Sequence, residues 1–408
     1  MSDTRWVTGE MGDGCRDGAV PSLRLPRRAF IRGVGGAIAA ASVVTLGTRY
    51  PTPGTVSAAG PVAVTRSDAL VKFPTNISFH LEATAQMSEV TAVSLLYRPT
   101  AAPAFRRVHV PTERGKKVVA DYALDTQLYF LYPGLDIEYR WLFTLADGTE
   151  LRTDSGTVFY MDTRQSWKKT QNGQFSLWWY SGDDAFAKDA VDTAARAADN
   201  VKKSFGVMGN RPIRILVYAN ARDLRSALPP NSVEWVGGAA RKDLGLVLAA
   251  IGPGASAGSE IRRVIPHEIS HQITYQASQN PYNELPTWLD EGIAVRNQET
   301  TDIRFGPILR DALEQDKLVP LRALNSPFPL DESQALLSYA QSESVVNYVI
   351  NAFKPQTIGA LVSSFKDGLS YDQSMQQVLK ESLEDLERDW KDSLRYGGDQ
   401  GRPGVAGP

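Results

Sequence analysis

The stretch HEISH, residues 267–271, decides how the rest of this 408-residue chain is interpreted. Ser259 predicts the N-cap of a helix that runs to about Ala277, so the stretch is expected to be helical. His267 and His271 are four positions apart, and on a helix both imidazoles then project from one face, separated by about 6 Å. Two neutral imidazole nitrogens at that separation can share a tetrahedral zinc ion. The stretch therefore predicts a metal-binding helix.

Glu268 adds a carboxylate directly beside the first histidine. It can reach a water molecule held by the metal, take its proton and pass that proton to a leaving nitrogen. The chain has only four histidines, and two of them fall in this motif, while His80 and His109 lie in a predicted β-region. The motif therefore indicates a zinc hydrolase rather than two unrelated histidines on a surface helix.

A second motif, PTWLDEGIA, follows at residues 286–294. Together the two motifs resemble those of the glutamate-type zinc peptidases, the gluzincins or MA-like peptidases, and the resemblance extends over about residues 176–394. It implies that Glu291 is the third zinc ligand beside His267 and His271. It also implies one catalytic Zn²⁺ and a peptide or protein as the substrate.

The resemblance suggests which other residues act at the site. Family members stabilise the oxyanion with a His or a Tyr from the helical lobe, which implies Tyr339 here, with Tyr348 as the alternative. The Glu-x-x-x-Asp pattern of some relatives is absent, since a valine stands four positions after the glutamate ligand. Asp290 and Asn297 are the candidates for orienting the histidines.

The run GLVLAAI, residues 245–251, predicts a strand just before the zinc helix. It resembles the edge strand on which these peptidases bind an extended substrate, which implies substrate contacts at Gly245, Val247 and Ala249. An ordinary buried strand would explain the same run. Residues 235–240 lack the glutamate of the Gly-x-Met-Glu-Asn motif of the aminopeptidase branch, so an endopeptidase is the default expectation.

Pro266 lies immediately before the histidine motif. A proline inside a helix has no N–H to donate and clashes with the carbonyl four residues back. We therefore expect the helix either to kink at this point or to begin near Ile265.

The predicted fold class is α+β. Short alternating strands separated by turns predict a β-sandwich of roughly seven strands over residues 60–165, and the segment 131–140 resembles the late-strand corner of immunoglobulin-like and fibronectin type III-like modules. A thermolysin-like, MA-type peptidase domain is expected next. Its α/β zinc-binding lobe, a small sheet with the zinc helix, is predicted over residues 170–300, and its helical lobe over 301–396. A Gly/Pro-rich tail, residues 397–408, is predicted to be disordered.

The first 58 residues predict an export signal. Arg27-Arg28 precedes an uncharged run from Gly33 to Thr48, and Val56-Ser57-Ala58 suits cleavage. The arginine pair resembles a twin-arginine signal, which implies a bacterial-type protein exported to the envelope or beyond. The run is shorter than the roughly 20 residues of a spanning helix, and an uncleaved membrane anchor is the alternative.

The balance of basic and acidic residues limits the kinds of molecule that the protein is expected to bind. With 44 basic and 46 acidic residues the chain has no basic surface excess, which argues against nucleic acid. The leading hypothesis is an exported zinc peptidase. Two others stay open, a surface-binding protein with a silent site and a zinc hydrolase of a non-peptide amide in the cell wall. Association with the membrane or the cell wall is compatible with each of them.

Overall fold

The structure is a computed structural model, and it describes residues 44–45, 60–229, 238–281, 284–300, 302–329 and 331–396. The predicted export signal lies outside the described residues except for a two-residue strand, β1 (Val44–Thr45). The predicted disordered tail lies outside them as well. In the described ranges, no helix combines the length and the apolar character needed to cross a membrane.

The N-terminal part is a β-sandwich. Its strands are β2 (Val62–Lys72), β3 (Asn76–Ala85), β4 (Val90–Pro99), β5 (Arg106–Val110), β6 (Lys117–Asp125), β7 (Leu135–Leu145), β8 (Glu150–Arg152) and β9 (Gly156–Tyr160). One sheet has the order β2-β3-β6 and the other β5-β4-β7-β8, with β9 also paired to β7. Alternate residues of β3 are buried, because successive side chains of a strand point to opposite faces. The predicted β-rich N-terminal region is confirmed.

A six-stranded sheet that follows the sandwich, called the second sheet below, supports the helix that carries the histidine motif. Its remaining strands are β10 (Lys168–Asn172), β11 (Phe175–Trp179), β12 (Ile213–Tyr218), β13 (Gly238–Arg241) and β14 (Leu246–Ala250). The order is β1-β10-β11-β12-β14-β13, with β11, β12 and β14 parallel. Both faces of this sheet are covered, which explains why β12 and β14 are apolar almost throughout.

The rest of the chain is mainly helical, which confirms the predicted α+β class. The helices are α1 (Asp184–Phe205), α2 (Ala221–Arg225), α3 (Ala257–Ser278), α4 (Thr287–Arg296), α5 (Phe305–Glu314), α6 (Glu332–Ala352), α7 (Gln356–Lys366), α8 (Tyr371–Val378) and α9 (Leu383–Arg395). Helices α1 and α3 pack on one face of the second sheet, and α4 packs against α3 and α6. The helix that carries the histidine motif, α3, is therefore held between the second sheet and the helical region.

The sandwich covers the other face of the second sheet. Leu216 and Tyr218 of β12 are fully buried in a core that they share with sandwich strands. Arg214 of the same strand pairs with Asp136 of the sandwich and donates to the Gly134 carbonyl oxygen at 2.8 Å. The sandwich thus packs directly against the second sheet, and the two share one apolar core.

The prediction that residues 245–251 form an edge strand is wrong. Strand β14 is hydrogen-bonded on both sides, to β12 and to β13, so its backbone has no free edge for a substrate. Val247 and Ala249 are fully buried, and Gly245 adopts a left-handed conformation, with φ 62°, at the end of a 3₁₀ turn (Lys242–Leu244). Among the described strands β13 is the edge at this end of the sheet, because it pairs with β14 alone.

The helix does not begin at Ile265. Helix α3 is one continuous element from Ala257 to Ser278 with Pro266 inside it. The carbonyl that the proline leaves without its usual helical partner, that of Arg262, accepts a hydrogen bond from the Glu299 backbone N–H at 3.0 Å. A contact from outside the helix therefore replaces the hydrogen bond that the proline removes.

Candidate metal centre

Helix α3 presents both histidines of the motif on one face. Ile265, Ile269 and Ile273, at intervals of four, are buried in the core and fix the rotation of the helix. The Nε2 atoms of His267 and His271 are 3.2 Å apart, with the rings at 85° to each other. The local i, i+4 spacing thus places two potential ligand atoms side by side, as the sequence predicts.

Helix α4 brings Glu291 to the same point. Its Oε2 atom lies 3.3 Å from Nε2 of His267 and 3.4 Å from Nε2 of His271. The next residue, Gly292, faces α6 at close range, because a Cβ atom there would collide with the Ser342 carbonyl and a side chain of α6. The glycine therefore permits the close packing of α4 on α6 that sets the position of the carboxylate.

These three ligand atoms form an almost equilateral triangle. A tetrahedral ion bound at about 2.0–2.1 Å needs ligand atoms about 3.3 Å apart, which the three distances match. Glu291 Oε2 is buried and makes no hydrogen bond to any described residue, so it is oriented as a metal ligand would be. Burial alone would raise the pKa of Glu291, but the adjacent imidazoles lower it to about 2. An ionised carboxylate and two imidazoles are a donor set that suits zinc.

His271 is oriented from behind by Asp290. Its Nδ1 atom lies 3.0 Å from Asp290 Oδ2, which also pairs with Lys242 Nζ at 2.9 Å. The other oxygen of Asp290 accepts a hydrogen bond of 2.6 Å from Thr274 Oγ1. Burial alone would raise the pKa of Asp290, but His271 and Lys242 outweigh it and hold the pKa far below its usual range. An ionised Asp290 therefore faces this ring nitrogen as its charge partner.

Asn297 does not orient a histidine, so that prediction is wrong. Its amide donates to Ser270 Oγ at 2.9 Å and to the Ala197 carbonyl at 3.1 Å. The residue that contacts His267 is the next one, Gln298, whose side-chain Nε2 lies 3.0 Å from Nδ1 of His267.

Glu268 is buried beside the triangle, and strand β13 closes over it. A Cβ atom added to Gly238, at the start of β13, would be 2.5 Å from Glu268 Oε1. Such a separation is shorter than van der Waals contact allows, so a side chain at Gly238 and the present position of the carboxylate are incompatible. The glycine therefore lets the edge strand approach the carboxylate closely.

Tyr339 of α6 faces the same cluster. Its ring centroid is 6.1 Å from that of His267, and Phe328 packs edge-on against it at 5.0 Å. Burial and the carboxylates of Glu291 and Glu268 raise the pKa of Tyr339, so that its hydroxyl stays protonated and can donate. Tyr348, the alternative, packs against the main apolar core instead.

The sequence model of a family described as the peptidase MA superfamily matches residues 193–396, which is half of the chain. The match includes the helices that carry both histidines, both carboxylates and Tyr339. The chain belongs to the peptidase MA superfamily. The family that the sequence motifs indicate is therefore confirmed.

Several solved structures are similar to parts of this superfamily member. An M1 zinc metallopeptidase from Deinococcus radiodurans is 15% identical over 82% of this chain and 93% of its own, with a TM-score of 0.36. Legionella pneumophila aminopeptidase A is 12% identical over 85% of this chain and 50% of its own, with a TM-score of 0.34. Wild-type OgpA from Akkermansia muciniphila is 14% identical, but the match spans 27% of this chain and 30% of that one, with a TM-score of 0.21. No curated protein sequence matches the chain.

Two residues at the site of this peptidase MA superfamily member are not predicted from the sequence. Gln298 belongs to no recognised motif, and the one feature that could have indicated it is its position seven residues, or two helical turns, after Glu291. Gly238 stands in a short strand that the sequence does not predict, so its closeness to Glu268 could not be inferred. Both contacts join segments that are distant in the chain.

We predict that Gly238→Ala impairs hydrolysis without releasing a metal. The added methyl group should displace the Glu268 carboxylate by about 1 Å, and a misplacement of that size costs on the order of 100-fold in rate. We expect kcat for peptide hydrolysis to fall about 10-fold to 100-fold while zinc affinity stays the same. Gly306→Ala is the matched control, because a Cβ on that exposed helical glycine meets no atom within 4 Å. Wild-type kcat in Gly238→Ala would contradict the steric argument.

Proposed function

We propose that this protein is a zinc-dependent peptidase that holds one Zn²⁺ through His267, His271 and Glu291. The triangle of ligand atoms, with sides of 3.2 to 3.4 Å, carries the proposal. The presence of Glu268 beside that triangle separates a hydrolase from a purely structural zinc site, whose ligands need no adjacent general base.

Zinc held by His267, His271 and Glu291 would act as a Lewis acid, which would polarise the substrate carbonyl and favour ionisation of the attacking water. Glu268 takes a proton from the attacking water as the water oxygen bonds to the carbonyl carbon. It then delivers that proton to the amine nitrogen as the peptide C–N bond breaks, which returns Glu268 to its ionised form. The protonated Tyr339 hydroxyl donates a hydrogen bond to the oxyanion as it develops. Asp290, which pairs with Nδ1 of His271, keeps that imidazole oriented through both steps.

We assign binding of the substrate backbone to β13. An extended peptide can add to an exposed strand edge through main-chain hydrogen bonds. Strand β13 has one partner among the described strands, β14, and its first residue lies against Glu268. A peptide on the edge of β13 that meets no other described strand would pass Glu268, which a peptide on the buried strand β14 could not do.

We further propose that the enzyme acts outside the cytoplasm, most simply as an endopeptidase. The arginine pair and apolar run near the N-terminus support export. The missing glutamate between residues 235 and 240 supports the endopeptidase, because such a group would be needed to hold a free substrate amino terminus.

Hydrolysis of a denatured protein mixture tests the proposal. The purified protein is loaded with zinc and incubated with the mixture, and new termini are identified by mass spectrometry. We expect internal cleavage that a chelator abolishes and added zinc restores. Stoichiometric zinc binding without any cleavage would contradict the proposal, and cell-wall fragments would then test hydrolysis of a non-peptide amide. Absence of both reactions would leave a surface-binding role.

Replacement of Tyr339 by Phe tests the oxyanion donor. The variant keeps the ring that packs on Phe328 and loses only the hydroxyl. Removal of one oxyanion donor typically lowers kcat by about 100-fold to 1,000-fold, and we expect this result with zinc affinity and KM nearly unchanged. Tyr348→Phe serves as the control. A variant of Tyr339 with wild-type kcat would show that the tyrosine only packs against the site.

A further inference from the structure

Three consecutive residues after α4 dock on the zinc helix. Asn297 donates to Ser270, the Gln298 amide faces His267, and the Glu299 backbone N–H donates to the Arg262 carbonyl. From residue 297 to residue 299, the contacted residues of α3 move towards its N-terminus by about two turns, from Ser270 to Arg262. The segment 297–299, called the clamp below, therefore lies along α3 rather than crossing it at a point.

The clamp depends on the proline inside the zinc helix. In a regular helix the Arg262 carbonyl would accept the N–H of residue 266, but Pro266 has none. The Glu299 N–H takes that place at 3.0 Å, and the side chain of Glu299 is held by Arg196 at 3.2 Å. The hydrogen bond between the Glu299 N–H and the Arg262 carbonyl determines the position of the clamp along α3. It therefore brings the preceding glutamine level with His267.

The clamp presents a polar group to the one ring nitrogen of His267 that faces away from the ligand triangle. When a histidine binds a metal through Nε2, its Nδ1 carries the proton and must donate. In the structure the Gln298 atom 3.0 Å from Nδ1 is Nε2, which cannot accept a proton. A half-turn of the amide group puts Oε1 in the same place, and Oε1 can then accept the Nδ1 proton of a metal-bound His267. His271 has a carboxylate in the equivalent place, and His267 has a neutral amide.

We propose that Gln298 is the positioning residue of His267, and that Pro266 makes this possible by freeing the carbonyl on which the clamp docks. The inference rests on the proposed function, since it assigns a role toward the zinc ion. A hydrogen-bond acceptor behind a ligating imidazole fixes the tautomer and the orientation of the ring. Loss of such an acceptor typically weakens metal binding by about 10-fold to 100-fold.

Zinc titration of the purified full-length protein, in competition with a chromogenic chelator, tests the role of the glutamine. Gln298→Met keeps the length of the side chain and removes the acceptor, and we expect its zinc Kd to rise about 10-fold to 100-fold. Gln298→Glu restores an acceptor and should bind zinc at least as tightly as the wild type. Gln376→Met, on an exposed position of α8, should change nothing. Thermal melting of the metal-free variants shows whether each one is folded.

Equal zinc affinity in wild type and Gln298→Met would overturn the proposal, as would a Gln298→Glu variant that is as weak as Gln298→Met. These results differ from failure of the proposed function, in which the wild-type protein itself would not bind zinc. A structural role alone would lower the melting temperature of both variants and would not be rescued by glutamate.

The proline is tested separately by Pro266→Ala. Alanine strengthens an isolated helix, so the metal-free protein should melt at the same temperature or higher. Its new N–H competes with Glu299 for the Arg262 carbonyl, and zinc Kd should rise about threefold to tenfold, less than for Gln298→Met, because a carbonyl can accept two hydrogen bonds. Unchanged zinc affinity would remove the proline from the proposal.

Discussion

Glu268→Gln is expected to lower the rate of peptide hydrolysis by about 100-fold to 10,000-fold, which is the usual contribution of a positioned general base. The glutamine has the same shape, so it fits under Gly238 without moving the edge strand. It cannot accept a proton from water at neutral pH. The loss should therefore appear in kcat, with little change in KM.

The measurement compares single-substrate kinetics with zinc content in the same preparations. Glu268 is not a member of the ligand triangle, so the variant should still bind one zinc ion per chain. Glu314→Gln, at an exposed position at the end of α5, makes the same chemical change away from the site and should behave as the wild type. Substantial hydrolysis by zinc-loaded Glu268→Gln would show that another group is the base.

Glu291→Gln should have the largest effect on metal binding. The ionised Glu291 is the one carboxylate that faces both imidazole Nε2 atoms among the described residues. An amide oxygen carries no charge to offset that of the ion. We expect zinc Kd to rise by more than about 100-fold, which is beyond the range for residues that merely orient a ligand, and hydrolysis should fall with zinc occupancy.

Zinc-dependent thermal stability provides an independent measurement. A ligand that binds only the folded state stabilises it by about 4 kcal/mol at a thousand times Kd. The wild type should therefore melt at a higher temperature as zinc is added, while Glu291→Gln should show almost no shift at the same concentrations. An equal shift in both proteins would place the metal elsewhere, and an equal shift in Glu314→Gln is the expected control result.

Excess zinc should partly restore hydrolysis to Glu291→Gln but not to Glu268→Gln. The proposal gives the two carboxylates different roles, since Glu291 would determine zinc occupancy and Glu268 would move a proton. Activity measured against zinc concentration therefore separates them. If the two variants responded alike, the assignment of one as ligand and the other as base would be wrong.

Much of the site is local and could be read from the chain alone. His267, Glu268 and His271 are within five consecutive residues, and helical geometry places the two imidazoles together wherever the helix packs. The carboxylate of Glu291 was assigned by resemblance to a known motif. Spacing alone would not have distinguished it from Asp290, one residue earlier, which faces His271 from the other side.

The misassigned strand shows where local patterns stop being informative. An apolar run such as residues 246–250 is compatible with an edge strand or an interior strand, because the number of partners on its two sides is not encoded in its own periodicity. The hairpin that brings β13 alongside it determines that it is interior. The same pairing places Gly238 over Glu268 and creates the edge that we assign to the substrate.

The sequence by itself determined the α+β class and the helix that carries the histidine motif, and it supplied the candidate general base, because each depends on residues that are close together in the chain. Only the tertiary structure decided which strand is the edge, how the sandwich packs on the sheet, and which acceptor orients His267. Each of these depends on contacts between segments far apart in sequence. The contact of Gln298 with His267 spans 31 positions and exists because an interior proline leaves one carbonyl free for the clamp.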